Sequence, residues 1–279
     1  MDRFISKGQS IMILRQQINI QEIEEIQQAA SLITDIDAHT LVLMDVTSSL
    51  MTPVDPYLRP ETLEHFAFIA KSRTQNLSLY DLELFNHLMV MESASRLVEC
   101  GVHSFLKFLD DHQALVLAYT GMKFGKIGHT FFPDYLFNEL NHLGIRLTNA
   151  PMHRNITNTT SHFGYQAGID KGIIYTGSGQ TKGDYLDEIL DVVGFIPKKI
   201  VLIDRDEDNL KAFGKAVNRH YNIPILGIRY KRPHATNQSH LDKEIFNKKV
   251  NKILSKIHAI SAYNPPIERP HHALHTYAN

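Results

Sequence analysis

The chain has 279 residues, 43% of them hydrophobic and 21% charged, with a formal net charge of −1. That length can bury a large core, as one domain with an insertion or as two domains, and the near-zero charge excludes a global field that would draw nucleic acid or an anionic membrane. A single cysteine, Cys100, excludes an internal disulfide, and no run of about eighteen apolar residues is present to span a membrane.

The opening stretch, MDRFISKGQSIMILRQQ, lacks an apolar segment followed by a small-residue cleavage site, so no cleaved signal peptide is expected. Residues 16 to 33 place Ile18, Ile20, Ile23, Ile26, Ala29 and Ile33 at mostly helical steps, which predicts a first helix with an acidic and amide outer face. Leu41 to Thr52, LVLMDVTSSLMT, is the stretch around which the chain is organised. Its continuous apolar run predicts a strand buried on both faces, as in a parallel α/β sheet. The run ends on Asp45, where open α/β sheets place their ligands. A carboxylate there can attack phosphorus or bind a metal; a turn or N-cap aspartate is an equal reading.

Pro53, Pro56 and Pro60 break any helix and mark an excursion from the sheet. From Pro60 to about Cys100 apolar residues recur at three- and four-residue steps, with a break at Thr74 to Ser78. The gap to the next strand, near Ala114, is far longer than an ordinary crossover needs. The expected organisation is an α/β core from residues 1–52 and 111–279, with a helical cap at 53–110; a long crossover with two extra helices is the alternative.

Ala114 to Ala118 reads as the second buried strand and ends in Tyr119-Thr120-Gly121. A hydroxyl and a glycine at a strand's carboxyl end can bind phosphate, or form a plain turn. FFPDYLFNELNHL predicts a helix stopped at Gly144. Residues 145 to 170 read as the least regular part. His153 and His162 lie in it as weak ligand candidates, with sequons at Asn155 and Asn158 that matter only in a glycosylating compartment.

Ile173 to Tyr175 reads as a short strand, and Lys182-Gly183 opens a helix through Val193. A lysine at a helix N-terminus opposes the dipole unless an anion is held there. Ile200 to Ile203 is the third buried run and ends in Asp204-Arg205-Asp206-Glu207-Asp208-Asn209. Asp204 and Asp208 would bring two carboxylates to one metal if this turn enters a helix, and hard oxygen ligands beside phosphate suit Mg²⁺. Acids at a helix N-terminus are also expected on electrostatics alone. Leu210 to Arg219 continues as helix, Ile223 to Tyr230 is a further strand, and Asp242 to Ile260 a last helix. The tail holds His271 and His275, a weak zinc pair better read as solvated.

Strand ends at Asp45, Thr120 and Asp204, with Lys182 between the last two, resemble the four motifs of the haloacid dehalogenase superfamily. More narrowly, the chain is similar to a domain-of-unknown-function family of haloacid dehalogenase-like proteins found in intracellular bacterial pathogens. The similarity spans residues 17 to 230. It implies a doubly wound, Rossmann-like, mainly parallel sheet with a helical cap, and Mg²⁺-dependent phosphoryl transfer. Asp45 matches the nucleophile that forms an aspartyl-phosphate. Thr120, with Gly121, matches the phosphate-binding turn, and Lys182 the charge that steadies nucleophile and phosphate. Asp204 matches the principal metal carboxylate, with the Thr47 carbonyl as another ligand.

Two positions depart from the pattern. Thr47 stands where the family has its general acid/base aspartate, which implies slow turnover. Arg205 replaces the second acid of the fourth motif, with Asp208 as a compensating carboxylate. The substrate class implied is a phosphorylated small molecule or phosphopeptide. The alternative is a catalytically inactive binding module, acting on a host protein if the chain is a bacterial effector. The expected location is the cytoplasm, or a host cell reached without a cleaved signal peptide.

Overall fold

The apolar runs Leu41–Met44, Leu115–Ala118 and Ile200–Ile203 suit strands covered on both faces, and each lies in such a strand. The computed structural model describes residues 18–47, 49–147, 156–160, 166–177, 182–221, 223–231 and 240–263. His153, His162, Asn155, His271 and His275 lie outside the described residues, as do the side chains of Asn158 and Lys182.

The first part of the chain forms β1 (Asn19–Ile23), α1 (Ala29–Leu32), β2 (Thr40–Asp45) and β3 (Met51–Pro53). Helices α2 (Pro60–His65), α3 (Ala67–Thr74) and α4 (Leu79–Met91) follow, then β4 (Ser95–Leu97), α5 (Gly101–Asp111) and β5 (Leu115–Thr120). A small hairpin of β6 (Lys126–Ile127) and β7 (Thr130–Phe131) leads into α6 (Phe132–His142). The rest comprises β8 (Ile156–Thr160), β9 (Gln166–Asp170), β10 (Ile173–Tyr175), α7 (Leu186–Val193), β11 (Lys199–Asp204), α8 (Glu207–His220), β12 (Ile225–Tyr230) and α9 (Lys243–Tyr263).

Eight strands make one sheet in the order β1-β12-β11-β2-β5-β10-β9-β8. The first six run parallel, and β9 and β8 are added antiparallel at one edge. The central strands split their side chains between two cores. Val42, Met44, Val116, Ala118, Val201 and Ile203 face Phe105 of α5, Phe132 of α6 and Phe246 of α9. Leu41, Leu43, Leu115, Leu117, Ile200 and Leu202 face Ile189 of α7 and Phe213 of α8. The two-residue period of a strand produces this alternation, and helices on both faces make the fold a Rossmann-like α/β sheet, as the apolar runs imply. Among the described residues no helix is long and apolar enough to cross a membrane.

Four local expectations are corrected. The expected helix over residues 16 to 33 is instead β1 followed by a 3-10 turn (Ile26–Gln28) and the short α1. Ile18 and Ile20 lie against Gly227, and Ile18 also against Gly214; a Cβ on either glycine would meet Ile18 at about 3 Å (2.8 Å for Gly214, 3.1 Å for Gly227). Two bare backbone positions thus let β1 close over the sheet edge. Helix α4 stops at Met91, because Ser95–Leu97 turns back to pair with Met51–Pro53. Residues 145 to 170, expected to be irregular, contain β8 and β9.

The fourth correction concerns the cap. The β3–β4 ribbon is its stem, and α2 to α4 lie between. Helix α5 packs on β5, α1 and the Ile26–Gln28 turn, so the excursion closes at the ribbon and not at residue 110. Helix α9, expected as the last element of the core, packs against α4 and α3. Lys249 pairs with Asp55, and Lys256 and Lys252 with Glu92, across that contact.

Candidate active site

A strand buried on both faces can expose a functional group only at its tip. From β2 the chain proceeds outward to β5 and β10 on one side, then returns to β11 and β12 on the other. The strand order therefore reverses at β2, the place where α/β sheets of this kind bind ligands. Asp45 is in register with Tyr119 of β5, and Met44 with Ile203 of β11. One step on, Asp45 and Asp204 are the tips of adjacent parallel strands. Asp45, Thr120 and Asp204 are all buried.

Asp204 is held by three donors. The Asp206 amide donates to Oδ1 at 2.8 Å, and Tyr119 Oη and Asn209 Nδ2 donate to Oδ2 at 2.7 and 3.1 Å. Burial, and then the charges of Asp204 and Asp45, hold the Tyr119 phenol well above its ordinary range, so it remains a proton donor. The turn after Asp204 does enter a helix. Asp206 is its N-cap, accepting from the Asp208 amide at 2.9 Å, while Asp208 itself is exposed. The side chain that returns to Asp204 is Asn209, one position beyond Asp208. Neither Tyr119 nor Asn209 stands out in the sequence; the only signal for Tyr119 is that it shares the Asp45 level of the sheet.

The turn after β5 is clamped from both sides. Thr120 Oγ1 accepts the Met122 amide at 3.3 Å, and the Thr120 carbonyl accepts the amide and hydroxyl of Thr176 at 3.0 and 3.2 Å. From the cap, His87 Nε2 accepts the Lys123 amide at 3.1 Å, and His87 Nδ1 lies 2.7 Å from the Glu83 carbonyl. A carbonyl can only accept, so Nδ1 carries the proton. Burial pushes the His87 imidazole down to about 4, and it is neutral at pH 7.

These elements border a cavity of about 300 Å³ that is open to solvent on one side. Asp45, Thr47, Thr120 and Gly121 form its core side. The cap supplies Leu58, Leu63, Met89 and Val90, with Asn86 as its polar side chain. A Cβ on Gly121 would meet nothing within 4 Å. Arg205 turns away to the cap, where it bonds Glu61 at 3.1 Å and pairs with Glu64, both on α2.

Asp45, Thr47, Thr120 and Gly121 are thus brought together, with Asp204 beside them. Lys182 opens a 3-10 turn (Lys182–Tyr185) packed on α8. The next residue, Gly183, is forced by that contact: a Cβ there would lie 2.7 Å from Ala216 Cβ and 3.0 Å from Phe213 Cα. Among the described residues no group of three or more His, Cys, Asp or Glu is gathered for a metal. Two carboxylates and the Thr47 carbonyl are nonetheless hard oxygen donors that fit Mg²⁺, which completes its shell with water and substrate oxygens.

The family model described as "Protein of unknown function (DUF2608)" matches residues 19–261. An uncharacterized protein of Rickettsia felis (strain ATCC VR-1525 / URRWXCal2) is 27% identical over 140 residues, covering 50% of this chain and 46% of that one. The match therefore spans about half the length of that relative.

Proposed function

This chain belongs to the DUF2608 family, and on that premise we propose that it is a Mg²⁺-dependent phosphohydrolase of the haloacid dehalogenase type, working through an aspartyl-phosphate on Asp45. One observation carries the reading. Asp45 and Asp204 end adjacent parallel strands where the strand order reverses, and Asp45 opens with Thr120 and Gly121 into one cavity.

In this reading the Asp45 carboxylate attacks phosphorus in line, the ester P–O bond breaks, and the leaving oxygen takes the bonding pair. Thr120 Oγ1 uses a lone pair on the Met122 amide and turns its proton to a phosphoryl oxygen. The Gly121 backbone approaches closely because no side chain intervenes. Tyr119 and Asn209 hold Asp204 in one orientation. Asp45, Asp204 and the Thr47 carbonyl would hold Mg²⁺, which would supply neutralising charge for the phosphoryl transfer. Asp208 is the further carboxylate of the reading, and Lys182 its second cation.

Thr47 can neither protonate the leaving oxygen nor activate water. The missing acid/base group costs about 10²- to 10⁴-fold, so turnover is slow and the phospho-enzyme long-lived. The test is phosphate release from phenyl phosphate with Mg²⁺, with EDTA, and in Asp45→Asn. Release that survives Asp45→Asn refutes the nucleophile.

A second reading is favoured by one observation: Arg205 stands in place of an acid and is occupied with Glu61 and Glu64. The chain is then a phosphate-recognising module without turnover, which binds a phosphorylated small molecule or phosphopeptide in the cytoplasm, or a host protein if it is exported as an effector. It predicts Mg²⁺-dependent binding with no phosphate released.

A further inference from the structure

We infer that the site takes phosphate monoesters of phenols, in preference to those of sugars, alcohols or nucleosides. This inference rests on the phosphohydrolase reading above and names its substrate class.

Two independent observations converge on it. The first is the cavity. At about 300 Å³ it sits at the small end of ligand pockets, enough for a phosphoryl group and one ring. Its cap wall is Leu58, Leu63, Met89 and Val90, with Asn86 as the single polar side chain from the cap. Among the described residues lining it, Asp45 is the only charged one and none is a cation. A second phosphate would find no counter-charge on that wall. The hydroxyls of a sugar on the side of that wall would exchange water for aliphatic groups with almost nothing to bond, which costs free energy. A flat apolar ring meets neither obstacle.

The second observation is chemical. With Thr47 at the acid position, the departing oxygen leaves with its electron pair and no proton from the protein. A phenolate can do this: its conjugate acid has a pKa near 10, like that of tyrosine. An aliphatic alkoxide is far more basic and depends on general acid help. In the balanced step the Asp45 oxygen bonds to phosphorus, the P–O(aryl) bond breaks, and the phenolate takes its proton from water. Water then hydrolyses the acyl phosphate and regenerates Asp45.

The experiment compares kcat/KM of the full chain with Mg²⁺ on phenyl and 4-nitrophenyl phosphate, a phosphotyrosyl peptide, a phosphoseryl peptide, glucose 6-phosphate and AMP. The expected result is a preference of about 100-fold or more in kcat/KM for the aryl esters, with kcat/KM rising as the phenol becomes more acidic. Thr47→Asp should narrow the gap by raising the alkyl esters most. Leu63→Ser should raise KM for phenyl phosphate several-fold with kcat little changed, which separates the ring-binding wall from the chemistry. If the phosphotyrosyl peptide matches phenyl phosphate, the source is a protein side chain; if only the small esters react, it is a free aryl phosphate. Either result supports the class. Equal kcat/KM for alkyl and aryl esters overturns this inference and leaves the phosphohydrolase reading standing. No phosphate released from any ester, by wild type or Thr47→Asp, overturns both.

Discussion

Tyr119 and Asp204 are joined across the strand that carries Asp45: the phenol donates to Oδ2 at 2.7 Å, with both groups buried. The bond fixes the rotamer of the carboxylate that the proposed metal needs. Tyr119→Phe keeps the ring and removes the donor. Hydrogen bonds to charged groups contribute about 1.5–3 kcal/mol, so the urea midpoint should fall accordingly. Loss of a group that orients a metal ligand typically costs 10- to 100-fold in metal affinity. The Mg²⁺ concentration for half-maximal phosphate release should rise by at least about tenfold. An unchanged Mg²⁺ dependence would show that Tyr119 serves the core alone.

Arg205 ties the turn after β11 to the cap helix α2, and its two partners differ in burial. Glu61 is 5% exposed, whereas the Glu64 side chain is 68% exposed. Surface pairs contribute about 0–1 kcal/mol, so Glu64→Ala should be nearly silent in thermal denaturation. Arg205→Met removes a charge from beside a buried carboxylate and should cost roughly 1–3 kcal/mol. Equal losses from the two variants would contradict the difference in burial.

His87 makes the fold sensitive to acid. Its folded-state pKa, about 4, lies below the ordinary value of 6.5, so between those values the unfolded chain binds the extra proton. Stability therefore rises with pH through that window and falls as pH drops from 6.5 towards 4. The full contribution is on the order of 3 kcal/mol. Protonated Nε2 can no longer accept the Lys123 amide, so the turn beyond Thr120 should loosen first. Urea midpoints at pH 7, 5.5 and 4.5 should fall more steeply in wild type than in His87→Gln. Parallel slopes would rule out this histidine as the cause.

Two glycines should respond in opposite ways. A Cβ on Gly183 would crowd Ala216 and Phe213, so Gly183→Ala should cost about 1–3 kcal/mol, the usual range for overpacking. A Cβ on Gly121 meets open space at the cavity wall. Gly121→Val should melt close to wild type yet lose phosphate release. Retained release would show that the space beside Gly121 holds no phosphoryl group.

The sequence made the central sheet legible because β2, β5 and β11 are covered on both faces and so are written as uninterrupted apolar runs. The tips of those runs, Asp45, Thr120 and Asp204, were legible for the same reason. β1 was not: it is an edge strand, and Ile20, Ile23 and Ile26 fit a helical period until Gly214 and Gly227 are seen beneath it. β8, ITNTT, and β9, QAGID, are short and hold few large apolar residues, which resembles loop composition. The partners of the site were hidden for a different reason. Tyr119 reaches Asp204, and Arg205 reaches Glu61, only once register and cap placement are known, and neither is encoded in local spacing.

Helix α9 lies along the excursion: Phe246 stacks on Phe66 at 4.8 Å between ring centroids, and its lysines pair with Asp55 and Glu92. Any shift of α2 to α4 over the sheet must therefore either carry these 21 residues of helix along or break the contacts between them.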